Sequence, residues 1–150
     1  RRRRRSDFGA VAMSMYLHGL GHFHPENQIT NDFLTNLDIG TDSRWIDERV
    51  GIQSRRTVMS LDYIKETLNR DFTQAAEASD YTHAETGKFA GEMALRRAGL
   101  RASDIGMVIA GSCNPDSMSP ADACMIAAQL GIEAPSFDIN SACTSSTCSR

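Results

Sequence analysis

The chain has 150 residues, of which 41% are hydrophobic and 23% charged. That is the composition of an ordinary globular domain, and it excludes wholesale disorder, a collagen-like repeat and a coiled coil; no run of about 18 apolar residues exists to cross a membrane as a helix. The net charge of −3 averages two unlike parts, because residues 1–12 carry five Arg and one Asp while the remainder carries 11 basic and 18 acidic residues. An acidic body is a poor match for nucleic acid.

Residues 1–12 read as an upstream extension or cloning remnant outside the fold. Their Arg block lacks the apolar segment of a secretory signal. Residues 13–150 form the folded part. Within it, residues 15–24 (MYLHGLGHFH) read as a strand broken by Gly19 and Gly21, and Pro25 opens a turn. A short helix is predicted from Asn31. A second, over residues 43–49, is capped by Thr41 or Asp42 and stopped by Gly51. Leu61, Ile64 and Leu68 mark a helix over residues 60–69. Residues 70–81 are polar and read as irregular.

Thr82 and Glu85 form a capping-box pattern for the next helix, which Gly99 ends. Residues 105–110 (IGMVIA) suit a buried strand. Ser119, Pro120 and Asp122 then occupy the N-cap, N1 and N3 positions of a helix that Gly131 closes. Residues 136–140 form a last strand, leading to Ser141-Ala142-Cys143. Helix, strand, helix, strand in alternation predicts an α/β fold with a largely parallel sheet.

The four cysteines are Cys113, Cys124, Cys143 and Cys148. None forms a C-x-x-C pair, and reduced thiols in a cytoplasmic protein are expected. Cys113 and Cys124 read as packing residues. Cys148 lies five residues beyond Cys143, off its helical face. Cys143 follows a strand and precedes Thr144-Ser145-Ser146, a run able to open a helix. A thiol there meets unpaired backbone N–H groups that favour thiolate. Spacing alone fits a structural cysteine as well as a nucleophile.

His18, His22 and His24 are interrupted by Gly19, Gly21 and Pro25, and no acidic or Cys ligand stands at a supporting spacing. No metal site is expected. Trp45 and Arg49 form an i,i+4 pair that fits either a clamp for a nucleotide or a core indole beside an exposed guanidinium. With Arg44, Arg55 and Arg56 they make the most basic stretch of an acidic body, suited to a phosphorylated or acidic partner.

Four segments together resemble β-ketoacyl-acyl-carrier-protein synthase III and its thiolase-superfamily relatives. Leu20-Gly21 through Pro25 to Thr30-Asn31 is similar to the family's opening strand and turn. Thr41-Asp42-Ser43-Arg44-Trp45-Ile46-Asp47-Glu48-Arg49-Val50-Gly51-Ile52 with Arg55 resembles its substrate-binding helix. Ala94 through Ile109 resembles its A-x-x-A-G-L-x-x-x-D-I element. Phe137-Asp138-Ile139-Asn140-Ser141-Ala142-Cys143 resembles its nucleophile turn. The likeness covers most of residues 15–146.

The resemblance implies a layered α/β/α/β/α thiolase-like architecture, with this chain as its N-terminal half. It implies a Cys-dependent acyltransferase in which Cys143 is acylated by a thioester, followed by decarboxylative condensation with a malonyl-type thioester. Thr41, Trp45 and Arg49 match positions that contact the nucleotide end of coenzyme A, and Arg55 and Arg56 are candidates for meeting the carrier protein. Acyl-CoA and acyl carrier protein are the implied partners, a homodimer the implied assembly, and no permanently bound cofactor is implied. Acyl transfer to an alcohol or amine, or a non-catalytic homologue, remains the alternative.

Two departures from the family stand out. Residues 57–82 are longer than the common pattern, which suggests a specialised branch, and near Ser119, where many members carry an aromatic that shapes the partner subunit's acyl pocket, this chain has a small residue. The family's catalytic His and Asn lie in the second half of a longer chain, so the 150-residue chain alone is expected to be inactive. His18, His22, His24 and His83 do not match that His.

Overall fold

The computed structural model describes residues 15–112 and 115–141. Cys113, Cys143 and Cys148 lie outside the described residues, and so does the Arg-rich start.

The first unit is a small β/α assembly. Strand β1 (Gln28–Thr30) runs antiparallel to β2 (Ser54–Arg56), with Ile29 opposite Arg55. Between them lie α1 (Asn31–Asn36) and α2 (Ser43–Arg49). Thr30 caps α1 by accepting from the Phe33 amide at 3.1 Å. Asp42, rather than Thr41, caps α2 by accepting from the Trp45 amide at 2.8 Å. Ile46 is the residue that α2 buries.

Residues beyond β2 make an excursion that returns to its start. Ser60 N–H donates to Ala78 O and Asp80 N–H to Val58 O, both at 2.8 Å. The excursion holds α3 (Leu61–Thr67), which buries Tyr63 and Ile64, and α4 (Phe72–Glu77). Helix α4 corrects the expectation of irregular chain over 70–81. Asp71 accepts from both Thr73 and Gln74 amides at 3.1 Å, and Tyr63 Oη donates to Asp71 O at 2.6 Å. A tertiary tether thus fixes the cap of a six-residue helix that has too little apolar periodicity to show itself.

Helix α5 (His83–Ala98) opens on the predicted Thr82–Glu85 capping box. It ends at Gly99, whose φ of +67° an L side chain would resist. Its small residues allow close approach on two sides. A Cβ on Gly87 would stand 2.5 Å from Ile126 Cδ1, and one on Gly21 would overlap the Ala90 carbonyl oxygen. Residues 15–24 therefore lie against α5, held further by Arg97 Nη1 donating to Leu20 O at 2.9 Å and by Phe23 against Phe89 at 4.8 Å. They are not a strand here. A strand needs a ladder partner, and among the described residues this segment has none.

After a single 3₁₀ turn (Ala102–Asp104), β3 (Val108–Gly111), α6 (Asp122–Leu130) and β4 (Ser136–Ile139) form a β-α-β unit. The strands are parallel, with Val108 opposite Ser136 and Gly111 opposite Ile139. That is the predicted alternation, although β3 begins at Val108 rather than at residue 105. Helix α6 also starts later than Pro120 suggested. Its N-cap is Ala121, which offers no side-chain acceptor. The Asp138 carboxylate of β4 supplies the acceptors instead, to the amides of Asp122 and Ala123, both at 2.9 Å. Cys124 is exposed, not a packing residue, because its face of α6 points away from α5 and its thiol lies 3.5 Å from Ser136 O.

The core is thin. Its buried apolar residues are Ile46, Tyr63, Ile64, Ala84, Ala123, Ala127 and Ile132, while Leu17, Leu20, Met107 and Phe137 stand at least two-fifths exposed. Such a surface is wide for an isolated domain and fits a segment that packs against more protein.

Candidate active site

Helix α2 places the predicted substrate-binding residues on one short rod. Trp45 and Arg49 are four residues apart and so share a face. The indole is 53% exposed, which resolves the choice left open by spacing: Trp45 is not a core residue. Arg49 is exposed in the last turn and has no hydrogen bond or ion pair among the described residues. Thr41 precedes the cap. Its hydroxyl oxygen is shielded from solvent and has no hydrogen-bond partner.

The other basic residues of this region are engaged. Arg44 pairs with Glu48 at 2.8 Å. Arg55 Nη1 donates to Asn31 Oδ1 at 2.6 Å, and Arg56 Nη1 donates to Glu26 O at 2.9 Å. Among the described residues of this stretch, the guanidinium without a partner is that of Arg49.

Asn31 was visible in the sequence only as a helix start. The structure buries it to 5% exposure and uses its whole amide. Nδ2 donates to Asp47 Oδ1 and to Ile52 O, both at 2.9 Å, while Oδ1 accepts from Arg55.

Cys143 lies outside the described residues. Strand β4 runs toward it, and Asp138 ties that strand to the start of α6. Near that end lies a cavity of about 350 Å³ whose wall includes His83, Gly111, Ser112 and Asp122.

Sequence reasoning passed over a second cluster. His83 Nδ1 stands 3.2 Å from Asp122 Oδ2 and 3.5 Å from Asp116 Oδ1, and the His83 amide donates to Asp116 Oδ2 at 2.7 Å. Their three ligand-type atoms lie within 4.8 Å of one another. Asp116 meets the first amide of α5, and Asp122 is the first residue of α6. His22 and His24 do approach, with ring centroids 5.1 Å apart, but among the described residues no acidic or Cys group joins them in a set of three.

Two carboxylates are held below the ordinary range: Glu85, by its bond from the Thr82 amide and then the Thr82 hydroxyl, and Asp104, by Arg101. The Tyr81 phenol is raised, chiefly by its hydrogen bond to Glu26. All three are structural.

No family model matches the chain. The β-ketoacyl-[acyl-carrier-protein] synthase III of Xanthomonas campestris pv. campestris (strain 8004) is 31% identical over 127 residues, 84% of this chain and 33% of that protein. The same-named protein of Alkalilimnicola ehrlichii is 34% identical over 128 residues, with the same coverage. The crystal structure of 3-oxoacyl-[acyl-carrier-protein] synthase III from Aquifex aeolicus superposes with a TM-score of 0.68 at 29% identity, covering 85% of this chain and 35% of that one.

The fold is therefore that of the thiolase-like condensing enzymes, an α/β architecture. Within that class the chain resembles β-ketoacyl-acyl-carrier-protein synthase III, and it spans about a third of the length of the curated relatives it matches.

Proposed function

We propose that the protein carrying this segment is an acyltransferase of the β-ketoacyl synthase III kind. The Cys143 thiolate attacks the carbonyl of an acyl thioester, forming a new thioester and releasing the coenzyme A thiolate. A malonyl-type thioester then loses carbon dioxide. Its enolate carbon attacks the acyl group, forming the carbon–carbon bond and returning Cys143 as thiolate. The His and Asn that this chemistry takes from the rest of the family's fold are no part of residues 1–150, and the active assembly is a homodimer.

One observation supports this reading above the others. Helix α2 offers a half-exposed indole and an uncommitted guanidinium on one face, beside a Thr41 hydroxyl without a partner. Trp45 stacks on the base of the acyl-CoA nucleotide and Arg49 meets its phosphates. The carrier protein, which is acidic, would approach the same basic mouth.

Product mass tests the reaction. Full-length protein given acyl-CoA and malonyl thioester should yield a β-ketoacyl product one extender longer, with loss of carbon dioxide. Transfer of the unaltered acyl group to an alcohol or amine would replace this reading with simple acyl transfer.

A further inference from the structure

Helix α2 has seven residues and buries only Ile46, so its own packing holds it weakly. Among the described residues side-chain ties at its two ends, through Ser43 and Asp47, hold it to α1 and its flanks, the Ser43 hydroxyl also lying 3.4 Å from Thr35 Oγ1 of α1. At its start Ser43 Oγ donates to Asp32 Oδ1 at 2.6 Å. Toward its end Asp47 Oδ1 accepts from Asn31 Nδ2 at 2.9 Å and from Gln53 Nε2 at 2.8 Å. Gln53 is on the exposed chain just after the helix, whereas Asn31 is buried at the junction of β1 and α1.

The Asn31 amide is fully used. One group bonds α2 through Asp47, the loop after α2 through Ile52 O, and β2 through Arg55. A buried amide with both donors and its acceptor satisfied has one orientation, because any rotation leaves a partner unpaired. A side chain so fixed locates whatever it bonds.

We propose that Asn31 is the positioning residue of the substrate-binding helix: its amide sets where Trp45 and Arg49 stand. It touches no substrate. Asp47 lies midway between Trp45 and Arg49 in α2, so loosening it displaces both together. The proposal rests on the nucleotide reading of α2 for its kinetic consequence, but not for its structural one.

The test uses full-length protein and two thioesters of the same acyl group, one on coenzyme A and one on N-acetylcysteamine, which lacks the nucleotide. Trp45 is followed by ¹⁹F resonance after 5-fluorotryptophan labelling, with its signal assigned by loss in Trp45→Phe. Asn31→Asp sets a carboxylate against Asp47. Asn31→Asp/Asp47→Asn restores a donor and acceptor between the two while keeping the acceptor for Arg55. Asp47→Ala cuts the tie from the exposed side and spares the buried amide, should Asn31 variants fold poorly.

Asn31→Asp and Asp47→Ala are expected to shift the Trp45 resonance. Each should raise KM for acyl-CoA about tenfold, with kcat and the KM of the truncated thioester within about twofold. The double variant should return toward the parent in both readouts. An unmoved resonance, or a KM rising equally for both thioesters, overturns the positioning role. If the parent shows no preference for acyl-CoA and Arg49→Ala changes neither KM, the nucleotide reading falls instead, and the Trp45 resonance still decides for or against Asn31.

Discussion

Asp138 of β4 accepts the backbone amide of Asp122 at 2.9 Å, and a second bond of equal length comes from Ala123. The carboxylate therefore caps α6 from another element. It satisfies two of the amides that a helix start leaves unpaired, and it fixes the end of the strand that leads toward Cys143. Local sequence gave α6 no cap of its own, since Ala121 occupies that position.

Removing this cap should be felt in stability. Asp138→Ala is expected to cost about 1–2 kcal/mol, the range for loss of a good N-cap, and Asp138→Asn less, since its amide keeps one acceptor. Urea denaturation of the full-length protein measures both. Equal midpoints for parent and Asp138→Ala would remove the capping role.

Close approach of backbone to backbone makes Gly21 less replaceable than Gly87. A Cβ at Gly21 meets the Ala90 carbonyl, whereas one at Gly87 meets side-chain atoms alone, Cδ1 and Cγ1 of Ile126. Gly21→Ala should destabilise by about 1–3 kcal/mol, as overpacking does. Gly87→Ala should cost less, because Ile126 can turn aside. The order of the two denaturation midpoints checks this.

Acid should loosen the start of α5. The folded protein depresses the Glu85 carboxyl through the Thr82 amide first and the Thr82 hydroxyl second. The stabilisation is therefore present above the ordinary carboxylate pKa and lost as pH falls through the depressed value. Glu85→Ala should lower thermal stability at pH 7, and its gap from the parent should close as the solution is taken below the ordinary carboxylate range. A gap constant across that range contradicts the assignment.

Binding should depend on α2 through two residues of different chemistry. Arg49→Ala is expected to raise KM for acyl-CoA about tenfold and to weaken the salt dependence of KM, because a charge-assisted contact is lost. Trp45→Ala should raise KM while leaving the salt dependence in place. Initial rates at two ionic strengths separate these effects.

What could be seen in the sequence was local. Asp42 before α2, the Thr82–Glu85 pair and the stops at Gly99 and Gly131 are caps formed within a few residues, and each stands where its spacing put it. The parallel β3–β4 pair followed from alternation of elements. What could not be seen depends on distant partners. Helix α6 owes its cap to Asp138, Tyr63 holds the backbone of the Asp71 that caps α4, and residues 15–24 lack a ladder partner among the described residues. The shared face of Trp45 and Arg49 was legible because i,i+4 spacing is intrinsic to a helix. Asn31 was not, since its partners are 16, 21 and 24 residues away.

In the proposed reaction an acyl group passes through Cys143. Full-length protein and its Cys143→Ser variant, each incubated with acyl-CoA carrying a radiolabelled acyl group, test it most directly. The account predicts one acid-stable label per active subunit in the parent, released by hydroxylamine as a thioester is, and none in the variant. Equal labelling of both proteins, or no label in either while the parent turns over substrate, would contradict it.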